Sequence, residues 1–336
     1  MNADSPIQVL DMHTGGEPVR IIQRGYPPVP GATILAKRRY VREHLDHLRR
    51  LLMFEPRGHD DMYGVLLVEP TLPGADIAVL FMHNEGYSTM CGHAVIAMGR
   101  YAVDHGLVPK VEPVSEVGIE CPCGLVRAHV EVRGGRSGRV TFDSVPAFLL
   151  AERLTVAVPG RGQVVTDVSY GGAFYALADA GQFGLDVRAS RVRDLVDAAT
   201  ALTEAVNRTI AIEHPVEKDL GFLYGSILTD GRERPEEGPS ANICVFADAE
   251  VDRSPTGSGV TARMAARFQR GLVGMNQVCE IDSVTKARFT GEVVAVTSCG
   301  SKPAVTIRVG GQAHYSGEAR YWLEEGDEIG KGFLLR

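Results

Sequence analysis

Apolar and polar positions along the chain follow first the period of strands and then that of helices, and they do so twice. Near residues 7–12 and 18–23 the pattern reads as two strands joined by a turn at His13 to Pro18 (HTGGEP). Val41, Leu45, Leu48 and Leu52 then recur at helical spacing, which predicts one amphipathic helix over about 33–53. Strands near 63–69 and 76–82 lead into a helix that begins at Cys91. That helix is apolar almost all round, through Ala94, Val95, Ile96, Ala97, Met98, Tyr101, Ala102 and Val103, so it is expected to be buried. Strand-like segments follow near 115–121, 125–133 and 138–143. A less periodic stretch at about 146–160, bracketed by Pro146 and Pro159, reads as a linker. The order then starts again. Strands are expected near 163–170 and 173–178. A helix follows, opened by Ser190 as N-cap, with Val192, Leu195, Val196, Ala199, Leu202 and Val206 on one face. Strands near 221–229 and 241–247 lead into a helix beginning at Thr256, and several strands run from about 280 to 322.

Compared with itself, the chain shows why the order repeats. At a constant offset of 165, Gly92 falls on Gly257, Val95 on Val260 and Ala97 on Ala262. Gly106-Leu107-Val108 falls on Gly271-Leu272-Val273, and the strand-like stretch 76–82 falls on 241–247. Self-similarity of this kind predicts two like halves. A buried helix wrapped by a curved sheet, occurring twice, fits the pattern better than a doubly wound parallel sheet. The expected domains are 1–150, carrying Cys91 and joined by the C-terminal tail 323–336, and 151–322, carrying Thr256.

Composition narrows the function classes. With 336 residues, 44% apolar and 23% charged, the chain has the make-up of a globular protein of two ordinary domains. A net charge of −7 with no run of Lys or Arg argues against nucleic acid as a partner. The first ten residues lack a cationic stretch followed by an apolar one, and no window approaches 18 uninterrupted apolar residues. No secretory signal and no membrane partner are therefore expected, and cytoplasm is the expected compartment. The six cysteines, at 91, 121, 123, 244, 279 and 299, are scattered and expected to be reduced. Cys121-Pro122-Cys123 lacks metal-type spacing, and no glycine-rich phosphate fingerprint opens a helix, so neither metal nor cofactor is expected. The oligomeric state stays open, a homodimer included.

The two helix starts carry the candidate chemistry. Small residues there leave backbone N–H groups free, and with the helix dipole they favour an anion. The same field favours thiolate at a cysteine that opens the helix, which is where Cys91 stands, with Thr256 at the matching place. The plainer readings are that Cys91 is a small buried hydrophobe, His93 a helix-start residue and Asp252 a solvated loop residue. A Cys91 nucleophile for acyl transfer with His93 as base is a further reading. Its geometry is expected to be poor, because side chains two residues apart at a helix start diverge.

The segments HTGGEP (13–18), EPRGHDDMYG (55–64), NEGYSTMCGHAVIA (84–97) and DRSPTGSG (252–259) resemble the proline racemase family, in order and over nearly the whole chain. That family holds proline racemases, hydroxyproline epimerases and trans-3-hydroxy-L-proline dehydratases. The resemblance implies a diaminopimelate epimerase-like α/β (α+β) fold of two pseudo-symmetric domains, each a curved sheet around a central helix. In the racemases and epimerases both helix starts carry cysteine, and two thiols exchange a proton on opposite faces of the α-carbon. Here Thr256 replaces the second, and a hydroxyl is too weak an acid to serve as base. That pairing resembles the dehydratase branch. The implied roles are Cys91 as α-proton acceptor, with backbone N–H groups of Gly92, His93, Gly257 and Ser258 on the substrate carboxylate. Asp252 is expected on the ring ammonium and Tyr224, within GFLYG, against the substrate. A hydroxyproline 2-epimerase or proline racemase is the alternative. A non-catalytic amino-acid-binding protein is a more remote one, opposed by the retention of Cys91, His93 and Asp252.

Overall fold

The computed structural model describes residues 6–335. Contacts divide the chain into two compact units, Met1–Val140 with Gln312–Arg336, and Thr141–Gly311. These boundaries differ from the expected 150/151 and 322/323 for a physical reason. The stretch read as linker is a strand, Phe148–Val158, that pairs with its successor, and Ala313–Tyr321 pairs with the first strand of the chain.

In the first unit, β1 (Ile7–Thr14) and β2 (Glu17–Arg24) form a hairpin whose turn is made by Gly15 and Gly16, both at positive φ. Two helices follow, α1 (Ile34–His44) and α2 (Asp46–Met53), where one was expected. The break falls at Leu45, and tertiary contacts account for it. Asp46 restarts the helix and holds Arg49 at 2.7 Å, and Arg49 reaches the carbonyls of His83 and Asn84. Next come β3 (Tyr63–Val68), β4 (Ile77–His83), α3 (Gly92–Asp104), β5 (Val114–Cys121) and β6 (Gly124–Arg133), and β7 (Arg136–Asp143) carries the chain past Val140 into the second unit. Every residue of β4 is buried, so both its faces are covered. Ala78, Leu80 and Met82 join Val41, Leu48, Leu51 and Leu52 in one apolar cluster.

The second unit repeats the plan with β8 (Phe148–Val158), β9 (Gly162–Tyr170), β10 (Phe174–Asp179), α4 (Val192–Thr209), β11 (Leu223–Thr229) and β12 (Ser240–Phe246). After it come β13 (Glu250–Asp252), α5 (Gly257–Gln269), β14 (Cys279–Asp282), β15 (Arg288–Cys299) and β16 (Lys302–Gly311), before β17 (Ala313–Tyr321) returns to the first unit. Ser190 does not cap α4. Its hydroxyl accepts the Asp186 N–H at 2.9 Å in the preceding turn, and Arg191 is the N-cap.

Strand order shows the duplication more sharply than residue identity does. Neighbours in the first unit run β17–β1–β2–β3–β4–β5–β6, antiparallel except for β2–β3 and β4–β5. In the second they run β8–β9–β10–β11–β12–β14–β15–β16, antiparallel except for β10–β11 and β12–β14. A parallel pair needs a crossover, and each of the four parallel steps has one, through α1 and α2, α3, α4 and α5 respectively. Helix α3 packs on β17, β1 and β2 and also on β5 and β6, strands from opposite ends of the order, so the sheet must curl around it. Helix α5 is held in the same way by β8, β9 and β10 and by β15 and β16. Both helices end alike. Gly106 and Gly271 take φ of 69° and 67°, and the N–H groups of Leu107 and Leu272 reach back to Ala102 and Arg267. Each unit is thus a curved sheet around a central helix, as expected.

Candidate active site at the two central helix starts

Cys91 is the N-cap of α3, in extended backbone at φ −144° and ψ 104°. The first helical bond runs from the Val95 N–H to the Cys91 carbonyl at 2.9 Å, so the N–H groups of Gly92, His93 and Ala94 precede the helical ladder. Cys91 Sγ lies 3.1 Å from His93 Nδ1 and 3.5 Å from Nε2, with both residues buried. The expected divergence of the two side chains is therefore wrong. That rule holds between helical residues, and Cys91, just outside the helix, turns its sulfur back over the first turn. The His93 ring is fixed on its other side by the edge of Tyr63, centroids 4.8 Å apart, and the Tyr63 hydroxyl bonds Ser88. Thr14, at the β1–β2 turn, donates to the His93 carbonyl at 2.9 Å. Burial pushes the Cys121 thiol up, reinforced by a hydrogen bond with Cys123, and the Cys123 N–H binds the Thr89 carbonyl in the loop before Cys91. Cys121, Cys244 and Cys279 are buried, whereas Cys123 and Cys299 are partly exposed. Among the described residues no group of three or more His, Cys, Asp or Glu could hold a metal, and no helix is long and apolar enough to cross a membrane.

Thr256 caps α5 in a different way. Its φ of 64° and ψ of 95° lie where a β-branched residue is a genuine outlier, a strain on the order of 1–3 kcal/mol. A chain of local bonds holds it there. Asp252 accepts the Ser254 N–H at 2.7 Å, and the Ser254 hydroxyl accepts the Thr256 N–H at 3.0 Å. The Val260 N–H closes the first helical bond on the Thr256 carbonyl at 2.7 Å, which leaves Gly257, Ser258 and Gly259 ahead of the ladder. The Thr256 hydroxyl is buried and has no hydrogen-bond partner among the described residues. The Ser258 hydroxyl is taken up by a hydrogen bond with the Tyr175 hydroxyl at 2.7 Å, so its backbone N–H is the group left for a ligand. Tyr224 stacks on Phe246 at 5.2 Å and meets the edge of Tyr175 at 5.9 Å, which brings it into the same cluster.

Cys91, Gly92 and His93 are thus gathered at one helix start. Asp252, Thr256, Gly257 and Ser258, with Tyr224 reached through Tyr175, are gathered at the other. Sequence reasoning missed Tyr63, Tyr175 and Ser254. It also missed that the β1–β2 and β9–β10 turns press on the two helix starts. The signal was present as a Gly-Gly pair after a strand in each half, at 15–16 and 171–172. At Gly171 a Cβ would collide with the Ser258 carbonyl and the Ala262 N–H.

These two helix starts, each inside a curved sheet, place the molecule among known proteins. Residues 9–334 match the family described as proline racemase, and the chain belongs to that family. Trans-L-3-hydroxyproline dehydratase of Mus musculus is 58% identical over 335 residues, which span 98% of this chain and 95% of the mouse protein. A 3-hydroxyproline 2-epimerase of Burkholderia multivorans is 43% identical over 100% of both chains. The crystal structure of a hydroxyproline epimerase from Agrobacterium vitis, with bound trans-4-OH-L-proline, has a TM-score of 0.93 at 28% identity, covering 100% of this chain and 97% of its own. The objection from geometry to acyl transfer by Cys91 and His93 has fallen, and family membership now sets that reading aside.

Proposed function

We propose that this chain is a trans-3-hydroxy-L-proline dehydratase that removes water across C2 and C3 without a cofactor. The observation that carries the reading is Thr256, whose buried hydroxyl, without a hydrogen-bond partner among the described residues, stands at the helix start where two-faced proton exchange would need a second thiol. Similarity to the mouse dehydratase over almost the whole length supports it.

In the proposed reaction the substrate carboxylate is met by backbone N–H groups of Gly92, His93, Gly257 and Ser258, and its ring ammonium by Asp252. The Cys91 thiolate takes the α-proton, and His93 Nδ1, 3.1 Å from the sulfur, donates to it in the tautomer that carries the proton on that nitrogen. In trans-3-hydroxy-L-proline the α-hydrogen and the 3-hydroxyl lie on the same face of the ring. The thiol formed at Cys91 can therefore pass its proton to the departing hydroxide. The C3–O bond breaks, C2=C3 forms, water leaves and the thiolate is regenerated. The resulting enamine shifts a proton from nitrogen to C3, which gives 1-pyrroline-2-carboxylate. Thr256 contacts the substrate but cannot reprotonate C2.

A second reading, 3-hydroxyproline 2-epimerase, is favoured by the 43% identity to the Burkholderia multivorans protein. Incubation with trans-3-hydroxy-L-proline separates the two. One 1-pyrroline-2-carboxylate per substrate consumed, with no epimer, is expected. Accumulation of the C2 epimer in place of pyrroline carboxylate would overturn the proposal.

A further inference from the structure

Helix α5 carries a second feature, one that the proposed chemistry does not use. Arg263 and Arg267 in its C-terminal half and Arg270 at its C-cap follow one another at helical spacing and line a cavity of about 380 Å³ inside the second unit. Asp167, Asp179, Glu233 and the exposed Arg153 face the same cavity. At the offset of 165 that relates the two halves, the three helix positions are Met98, Ala102 and His105. Met98 and Ala102 are fully buried in α3. The fold is therefore built once with apolar side chains at places where its second copy has guanidinium groups. Packing does not demand arginine here.

Arg263 and Arg267 are only 3% and 4% exposed. Arg263 donates to the Asn242 side-chain oxygen at 2.7 Å and to the Ser240 hydroxyl. Arg267 donates to the Arg232 carbonyl at 2.6 Å and to the same Ser240 hydroxyl at 3.2 Å, and it also bonds the Cys279 thiol. Among the described residues neither forms an ion pair with a carboxylate, although Asp230 and Glu233 attract both from farther off. The acidic groups nearby already have partners. Asp230 takes the Ser240 hydroxyl at 3.1 Å and Arg188 at 3.2 Å. Arg270 holds Asp167 at 3.1 Å and Glu233 at 2.9 Å, and Asp167 also accepts the Arg153 N–H at 2.7 Å. Asp179 accepts the Gly181 N–H at 2.8 Å. Burial, and for Arg263 the neighbouring Arg267, push these two guanidinium groups below the ordinary arginine range. Two buried like charges sharing one hydroxyl, beside an open cavity, are an arrangement that an anion completes.

We infer that this cavity binds a small oxyanion, a carboxylate or a phosphate, held by Arg263 and Arg267 with Arg153 at its mouth. The site is separate from the helix start at Thr256, because Arg263 and Arg267 lie two to three turns on, about 10 to 17 Å along the axis. Its volume falls in the range of small-ligand pockets. Titration calorimetry of the full chain tests it, with inorganic phosphate and with succinate as separate probes at an ionic strength held constant by chloride. Saturable binding of one or both probes, one per chain, is expected, and the probe that binds identifies the chemistry. Arg267→Met, which puts an apolar side chain where α3 has one, should weaken binding at least about thirtyfold. Arg153→Ala removes an exposed side chain without touching the core and should weaken it about threefold. It decides the matter by itself if Arg267→Met does not fold. Absence of binding to the wild-type chain overturns the inference. So does binding that pyrrole-2-carboxylate, a planar mimic of the deprotonated α-carbon in the proposed reaction, displaces while both substitutions leave it unchanged, since such binding belongs to the helix start.

Discussion

Residue 256 joins strain, burial and chemistry in one position. A threonine held at φ 64° with a buried hydroxyl that has no hydrogen-bond partner among the described residues is costly, and such costs persist where function needs the geometry. Replacing it tests the proposed division between elimination and inversion. Thr256→Cys should give detectable solvent deuterium at the α-carbon of a hydroxyproline, with dehydration reduced but present. The gain will be limited, because a misplacement of about 1 Å can cost on the order of a hundredfold. A variant that keeps its dehydratase rate and shows no α-deuterium would mean that residue 256 does not face the reacting centre. At Cys91 the expectation is simpler. Cys91→Ser should lower dehydration on the order of 10³-fold while circular dichroism and pyrrole-2-carboxylate binding stay near wild type, since an alkoxide is not available at neutral pH. Retained activity would remove the sulfur from the mechanism. The placement of Cys91 and Thr256 at the helix starts, with Asp252 beside the second, was legible because they lie in short, specific segments. The bond from His93 to the sulfur was not, because it depends on Cys91 leaving helical backbone by one residue.

Among the elements, the Gly-Gly turns and the central helices work as pairs. Gly171 lets the β9–β10 turn lie directly on the first turns of α5, where a side chain would meet backbone atoms that cannot rotate away. Gly171→Ala should therefore destabilise the chain by about 1–3 kcal/mol in denaturant melts. It should also lower kcat/KM about a hundredfold by shifting the helix start. Full activity in a folded variant would show that this turn does not position α5. The far end of α3 makes a separate prediction. Burial opposes the charge of Asp104, but hydrogen bonds from Ser137, Lys110, Tyr315 and Arg100 outweigh it and hold the carboxyl below its usual range. A carboxylate lowered in this way adds stability above the unfolded value of about 4, and that stability is lost as pH falls through the folded value. With the side chain still 20% exposed, screening limits the effect. Asp104→Asn should cost about 1 kcal/mol at pH 7, and the difference should fade in melts below about pH 4. A difference that is the same at both pH values would rule out the charge as its source.

At the scale of the whole molecule, the two units share strand order, sense of pairing and the C-terminal ends of their central helices, yet they differ in what fills the space along those helices. The apolar face of α3 and the arginines of α5 are alternative solutions on one frame. Local pattern and self-comparison were enough to determine two like halves, a buried helix in each, the hairpins and the paired helix starts. Each of these rests on short-range periodicity, or on a few residues whose backbone needs are local. The tertiary structure decided the rest. It decided that 148–158 is a strand, because pairing with β9 supplies hydrogen bonds that a weak period does not announce. It broke the helix at Leu45 through the reach of Arg49 to the end of β4, and it gave the cap of α4 to Arg191 because Ser190 had a nearer donor in Asp186. It also turned Cys91 onto His93 and left the Thr256 hydroxyl without a partner among the described residues. Contacts of this kind join groups far apart in the chain or depend on one backbone angle, and no reading of neighbouring residues contains them.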